Sequence, residues 1–110
     1  MRFNTALLHS AKLGDENTGA TLTPIYQSSA FYQPSAEQHE KLFHNKATGY
    51  SYTRINNPTI VAFEERMTNL EKGVGSVACS SGMAALTNAL LNIVGAGGEI
   101  VSSTGLYGGT

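Results

Sequence analysis

Residues 74–110, 37 in all, carry one charged side chain, Glu99, while residues 1–73 carry the other 14 of 15. A stretch that poor in charge cannot cover much water-facing surface, so most of it must lie against something larger. A chain of 110 residues is one domain at most. Alone, a chain of this size buries only about 60–70% of its unfolded surface. The expectation is a piece of a larger subunit whose remainder supplies the cover.

The uncharged run from Gly73 to Gly98 is long enough to raise a membrane span. Its interior argues against one. Ser80, Ser81, Gly82, Thr87, Asn88 and Asn92 interrupt it, and the best apolar stretch, Met83 to Val94, suits a buried helix. The N-terminus lacks the apolar core of a secretory signal. A net charge of −1 excludes bulk electrostatic attraction to nucleic acid or acidic lipid. The single cysteine, Cys79, excludes an internal disulfide framework and a multi-cysteine metal site. The expectation is a cytoplasmic protein with no membrane, nucleic-acid or metal partner.

Along the chain, residues 1–34 read as an irregular arm, because nothing between the turn-rich stretches 18–24 and 33–35 sustains a period. Ser35 with Gln38 forms a capping box and predicts a short helix that ends before Ala47-Thr48-Gly49. Asn57-Pro58 opens a second helix: Asn is a good N-cap, and Pro at the first helical position sacrifices no hydrogen bond. Ile60, Phe63, Met67 and Leu70 give that helix one apolar stripe, with Gly73 as its expected stop. Residues 76–80 read as a short buried strand, and Met83, Leu86, Leu90 and Ile93 as the stripe of a third helix ending at Gly95. Residues 99–103 read as a second strand. Strand, helix and strand of these lengths predict a βαβ unit with parallel strands and a right-handed crossover.

The junction Ser80-Ser81-Gly82-Met83 is where such a unit binds anions. The first amides of a helix have no internal partners, the helix dipole adds positive charge, and glycine permits close approach of a phosphate. The same tetrapeptide also serves as an ordinary cap and turn. The stretch Leu106-Tyr107-Gly108-Gly109-Thr110 falls at the same edge of a parallel unit, so Tyr107 is either a ring for a planar ligand to stack on or a turn tyrosine packed against the sheet. In Tyr50-Ser51-Tyr52-Thr53-Arg54, the guanidinium of Arg54 suits a phosphate and Tyr52 adds a donor, although an arginine beside tyrosines is also an ordinary surface feature. The histidines at 9, 39 and 44 have no ligand spacing, and Cys79 reads as a small buried hydrophobe.

Four motifs occur in order: Thr18-Gly19-Ala20 with Pro24-Ile25-Tyr26-Gln27-Ser28-Ser29; Tyr52-Thr53-Arg54-x-x-Asn57-Pro58-Thr59; Ser80-Ser81-Gly82-Met83-Ala84-Ala85; and Leu106-Tyr107-Gly108-Gly109-Thr110. Together they resemble the N-terminal part of the cysteine/methionine metabolism family of pyridoxal-phosphate enzymes. The resemblance implies an α/β fold: an N-terminal arm plus the start of the large cofactor-binding domain of aspartate-aminotransferase type (fold type I), truncated. Residues 1–57 would form the arm and a cross-subunit segment, and 58–110 the beginning of the cofactor domain.

The cofactor implied is pyridoxal 5′-phosphate. The amides of Gly82 and Met83 would hold its phosphate, and Tyr107 would stack on its ring and shuttle protons as the catalytic residue. Tyr52 and Arg54 would reach the phosphate of a neighbouring subunit's cofactor, which implies a homo-oligomer, a tetramer built from dimers that share active sites, acting on an amino-acid substrate. Within the family the motifs look most like those of O-acetylhomoserine sulfhydrylases, which implies γ-replacement on O-acetyl-L-homoserine by sulfide or a thiol. A methionine γ-lyase, a cystathionine γ-lyase or γ-synthase, and a non-catalytic phosphate-binding βα module are the alternatives. The family's Schiff-base lysine, pyridine-binding aspartate and substrate-binding arginine come later in its chains, and Lys12, Lys41, Lys46 and Lys72 lie in the wrong context. The 110 residues alone are therefore expected to be inert and poorly folded.

Overall fold

The computed structural model describes residues 2–10 and 14–110. They contain four helices: α1 (Phe3–His9), α2 (Ala36–Phe43), α3 (Pro58–Glu71) and α4 (Gly82–Ile93). The chain divides into two compact units, Met1–Val77 and Ala78–Thr110.

In the first unit the caps form as the residue types dictate. Ser35 Oγ accepts from the Gln38 amide at 3.2 Å and starts α2. Asn57 Oδ1 accepts from the Thr59 amide at 2.9 Å and starts α3, with Pro58 in the first turn. The arm is less irregular than its sequence suggests, because residues 3–9 form α1. That helix has no side-chain cap and is stabilised from outside, by packing on α3. Arg66 donates from Nη1 to Leu7 O at 2.9 Å, and the Asn69 carboxamide donates to Ser10 O.

Further along the arm, the Asp15 carboxylate accepts from the Asn17 amide at 3.1 Å and from Thr18 Oγ1 at 2.8 Å. These bonds, with Thr18 the foremost, hold its pKa below the ordinary aspartate value. Gly14 (φ +90°) closes this turn, since a side chain there would strike Ala20 O. Residues 29–31 then run antiparallel to 51–53, joined by the bridge Ala30–Tyr52 and by Phe31 N–H to Ser51 O and Thr53 N–H to Ser29 O, both 2.9 Å.

The end of α3 differs from expectation by one residue. Lys72, not Gly73, takes the left-handed conformation (φ 54°), and the Gly73 amide closes back on Thr68 O at 2.9 Å. That six-to-one bond is the Schellman ending, in which the residue before the closing amide must be left-handed. A non-glycine residue there costs about 1–2 kcal/mol. Lys72→Gly is therefore expected to slow hydrogen exchange of the amides at the end of α3 about fivefold, corresponding to roughly 1 kcal/mol of relief.

The second unit is built on α4. Ser81 Oγ accepts from the Ala84 amide at 3.1 Å, and the helix stops at Val94, whose amide bonds Leu90 O. The flanking strands expected at 76–80 and 99–103 do not form: among the described residues, pairing is confined to isolated bridges in the first unit. A strand exists only through a ladder partner for its amides and carbonyls, and these two segments do not supply one to each other. Val77 and Val101 are consequently 81% and 97% exposed. Cys79, expected to be buried in the first strand, is half-buried, and Asn88 Nδ2 lies 3.5 Å from its Sγ.

Neither unit closes a hydrophobic core. Among the described residues no apolar side chain is buried, and the one buried residue is polar: Asn57, 2% exposed.

Candidate functional site

The first group of candidate residues is carried by the turn before α3. Tyr52 is fixed through its backbone by the bridge to Ala30. Its carbonyl accepts from the amides of Ile55 and Asn56 at 2.9 and 3.1 Å, which turns the chain sharply. The turn lays the Arg54 guanidinium over the Tyr52 ring, 5.5 Å from its centroid, a cation–π contact. Both side chains are exposed, and no described hydrogen bond or ion pair occupies the guanidinium donors. Sequence reasoning placed Tyr52 and Arg54 in one polar stretch, and the structure brings them together.

The second group lies in the other unit, at the start of α4. Ser81 caps the third amide of the helix, that of Ala84, and its carbonyl takes the Ala85 amide at 3.1 Å. The amides of Gly82 and Met83 belong to the first turn, where no intrahelical acceptor exists, and no described bond occupies them. Gly82 is exposed, and a Cβ built on it meets nothing within 4 Å. The corner is thus free of side-chain bulk and keeps two adjacent donors at the positive end of a helix dipole, which fits one edge of a phosphate.

Tyr107 shares this unit. Its carbonyl accepts from the Thr110 amide at 2.9 Å, and its ring covers Gly109: a Cβ there would lie 2.7 Å from Cε1. The side chain is 81% exposed, and no described ring contact or hydrogen bond ties it to residues 81–83. The lysines at 41, 46 and 72 are exposed, and Lys12 lies outside the described residues.

Sequence reasoning missed the residues that hold the Tyr52–Arg54 turn in place. Asn57 and Thr59 were legible only as a helix start. In the structure Asn57 Nδ2 donates to Tyr26 O and to Thr53 Oγ1, each at 3.0 Å, and Thr59 Oγ1 donates to Pro24 O at 3.2 Å while accepting the Tyr26 amide at 2.9 Å. A polar residue beside a helix-opening proline was the available signal, but a cap uses only its acceptor.

Comparison with known proteins places the chain in a family. The model of the Cys/Met metabolism PLP-dependent enzymes matches residues 4–110. The chain is 49% identical over 108 residues to an O-acetyl-L-homoserine sulfhydrylase of Corynebacterium glutamicum, covering 98% of this chain and 25% of that one. It is 44% identical over 110 residues to a cystathionine gamma-lyase of Bacillus subtilis, covering all of this chain and 27% of that one. The chain therefore spans about a quarter of the length of the curated relatives it matches.

Among solved structures, a Campylobacter jejuni protein assigned as an O-acetylhomoserine (thiol)-lyase, which carries an N′-pyridoxyl-lysine-5′-monophosphate, aligns with 99% of the chain and 27% of its own. The TM-score is 0.86 at 31% identity. Such neighbours are pyridoxal-phosphate enzymes of fold type I, and the present chain matches part of that fold despite its unpaired strand segments. On this evidence the chain belongs to the family of Cys/Met metabolism PLP-dependent enzymes.

Proposed function

We propose that the protein of which these residues form part catalyses γ-replacement on O-acetyl-L-homoserine, exchanging the acetate for sulfide or a thiol. Two relatives named O-acetyl-L-homoserine sulfhydrylase, that of Corynebacterium glutamicum at 49% identity and that of Leptospira meyeri at 42%, support the choice within the family. The observation that carries the site is the open corner at the start of α4, where Ser81 caps Ala84 and leaves the amides of Gly82 and Met83 to an anion.

Bound pyridoxal 5′-phosphate supplies an electron sink for charge developing on the substrate carbons. The chain's own residues bind and orient. Gly82 and Met83 hold a phosphate edge through their N–H groups. Tyr107 would offer its ring face to the pyridine, and its phenol would take and return the proton that accompanies departure of the γ-substituent. Arg54 and Tyr52 grip the phosphate of a neighbouring subunit's cofactor, so each site draws on two chains of a cytoplasmic homotetramer built from dimers.

A substrate panel on the full-length protein tests the reaction. O-acetyl-L-homoserine with sulfide is expected to give homocysteine at least about tenfold faster, by kcat/KM, than L-methionine or cystathionine is cleaved, a margin of about 1.4 kcal/mol in transition-state binding. Release of methanethiol from methionine, or of cysteine from cystathionine, as the dominant activity overturns the assignment in favour of a γ-lyase. The cystathionine gamma-lyase relative at 44% identity makes that second reading the one to measure against.

A further inference from the structure

Among the described residues the one buried side chain belongs to Asn57, and its bonding exceeds what its place in the helix requires. A helix N-cap needs a side-chain acceptor, and Asp or Ser supplies one as well as Asn. Asn57 spends Oδ1 on that task, toward the Thr59 amide at 2.9 Å. Both bonds from Nδ2 point elsewhere, to Tyr26 O and to Thr53 Oγ1. Neither helps α3 to form.

The second of these bonds bears on the site. Thr53 stands between Tyr52 and Arg54, and its hydroxyl, while accepting from Asn57, donates to Ser28 O at 2.5 Å. Its own amide bonds Ser29 O at 2.9 Å. A relay thus runs from the buried Asn57 carboxamide through the half-buried Thr53 hydroxyl out to Ser28 at the surface, each bond polarising the next. Tyr26 is tied twice, through its carbonyl to Asn57 and its amide to Thr59, so the segment that leads to the Thr53 partners Ser28 and Ser29 is also anchored to the first turn of α3. Nothing comparable restrains the side chains of Tyr52 and Arg54, which are exposed. Their aim is set by the backbone between them.

We propose that Asn57 is a positioning residue for anion binding: its carboxamide donors, relayed through the Thr53 hydroxyl, fix the turn that presents Tyr52 and Arg54 to the cofactor phosphate. This rests on the reading of Tyr52 and Arg54 as phosphate ligands. An arginine–phosphate contact is directional, so misaiming the guanidinium forfeits part of what the contact contributes, up to about a hundredfold in affinity. The donor half of Asn57 is therefore a functional requirement, separable from the capping half.

The full-length apoprotein, titrated with pyridoxal 5′-phosphate and separately with inorganic phosphate in equilibrium dialysis, separates the two. Asn57→Ser keeps a capping oxygen and loses the amide donors. Thr53→Val keeps shape and loses the relay, and Thr53→Ser keeps it. Asn57→Ser and Thr53→Val are each expected to weaken both ligands about tenfold or more, with helical circular dichroism unchanged, while Thr53→Ser stays within about threefold of the natural protein. If Asn57→Ser does not fold, the Thr53 pair alone decides. Native affinity in Asn57→Ser or Thr53→Val, with only a lowered melting temperature, reduces Asn57 to a cap and overturns the proposal. Arg54→Ala distinguishes the two levels: weakened binding there with native binding in the relay variants sinks the positioning role alone, whereas native binding in Arg54→Ala sinks the phosphate reading and the proposal with it.

Discussion

Purified by itself, the 110-residue chain is expected to lose its helical signal in urea along a broad curve without a cooperative midpoint, and to bind an apolar dye before any urea is added. Its accessible surface is 9084 Å² for 11.6 kDa, where a folded monomer of that mass exposes about 5,800 Å². The excess lies over side chains that normally drive folding: Ile25, Phe63, Val77, Leu91, Ile93 and Val101 are all more than half exposed. α2, α3 and α4 are each capped by a side chain, but isolated helices of 7 to 14 residues are marginal in water without a packed face. A sharp transition with a urea slope of about 1 kcal/mol/M or more contradicts this reading, because such a slope requires a large surface to be exposed in one step.

Arg54→Ala in the full-length protein is expected to weaken pyridoxal 5′-phosphate by about 10- to 150-fold, the equivalent of 1.5–3 kcal/mol for one hydrogen-bonded charge. Arg54→Lys should recover part of this, since an ammonium keeps the charge and loses the planar fork. The loss should shrink as salt rises, because the guanidinium is exposed and screened. If the site draws on two chains, mixing Arg54→Ala subunits with Tyr107→Phe subunits regenerates activity that neither has alone, because one hybrid site then carries both natural residues. No regain on mixing, with exchange of subunits verified, places Arg54 and Tyr107 of the same chain in one site.

The parts of the fold that were legible are those set by a few neighbouring residues. Ser35 with Gln38, Asn57 with Pro58, and Ser81 before Gly82 each start a helix where their side chains can accept an early amide. What escaped was set by distant partners. The first helix has Arg2 before it and no capping oxygen, and it is held by Arg66 and Asn69, about sixty positions away. The segments 76–80 and 99–103 have the composition of strands, but β-structure needs a neighbour and composition does not say which. At the site, the open corner of Gly82 followed from local rules. The support beneath Tyr52 and Arg54 did not, because Asn57 looks the same in sequence whether or not its amide hydrogens are used.

The ring of Tyr107 rests where the first carbon of any side chain at position 109 would go. Adding a methyl there would not break the backbone turn, since a phenol swings aside at little cost. It would, however, re-aim that phenol. Position 109 thus acts as a steering pivot: substitutions of graded bulk at a residue with no functional group of its own offer a way to dial the direction of the tyrosine while leaving its chemistry intact.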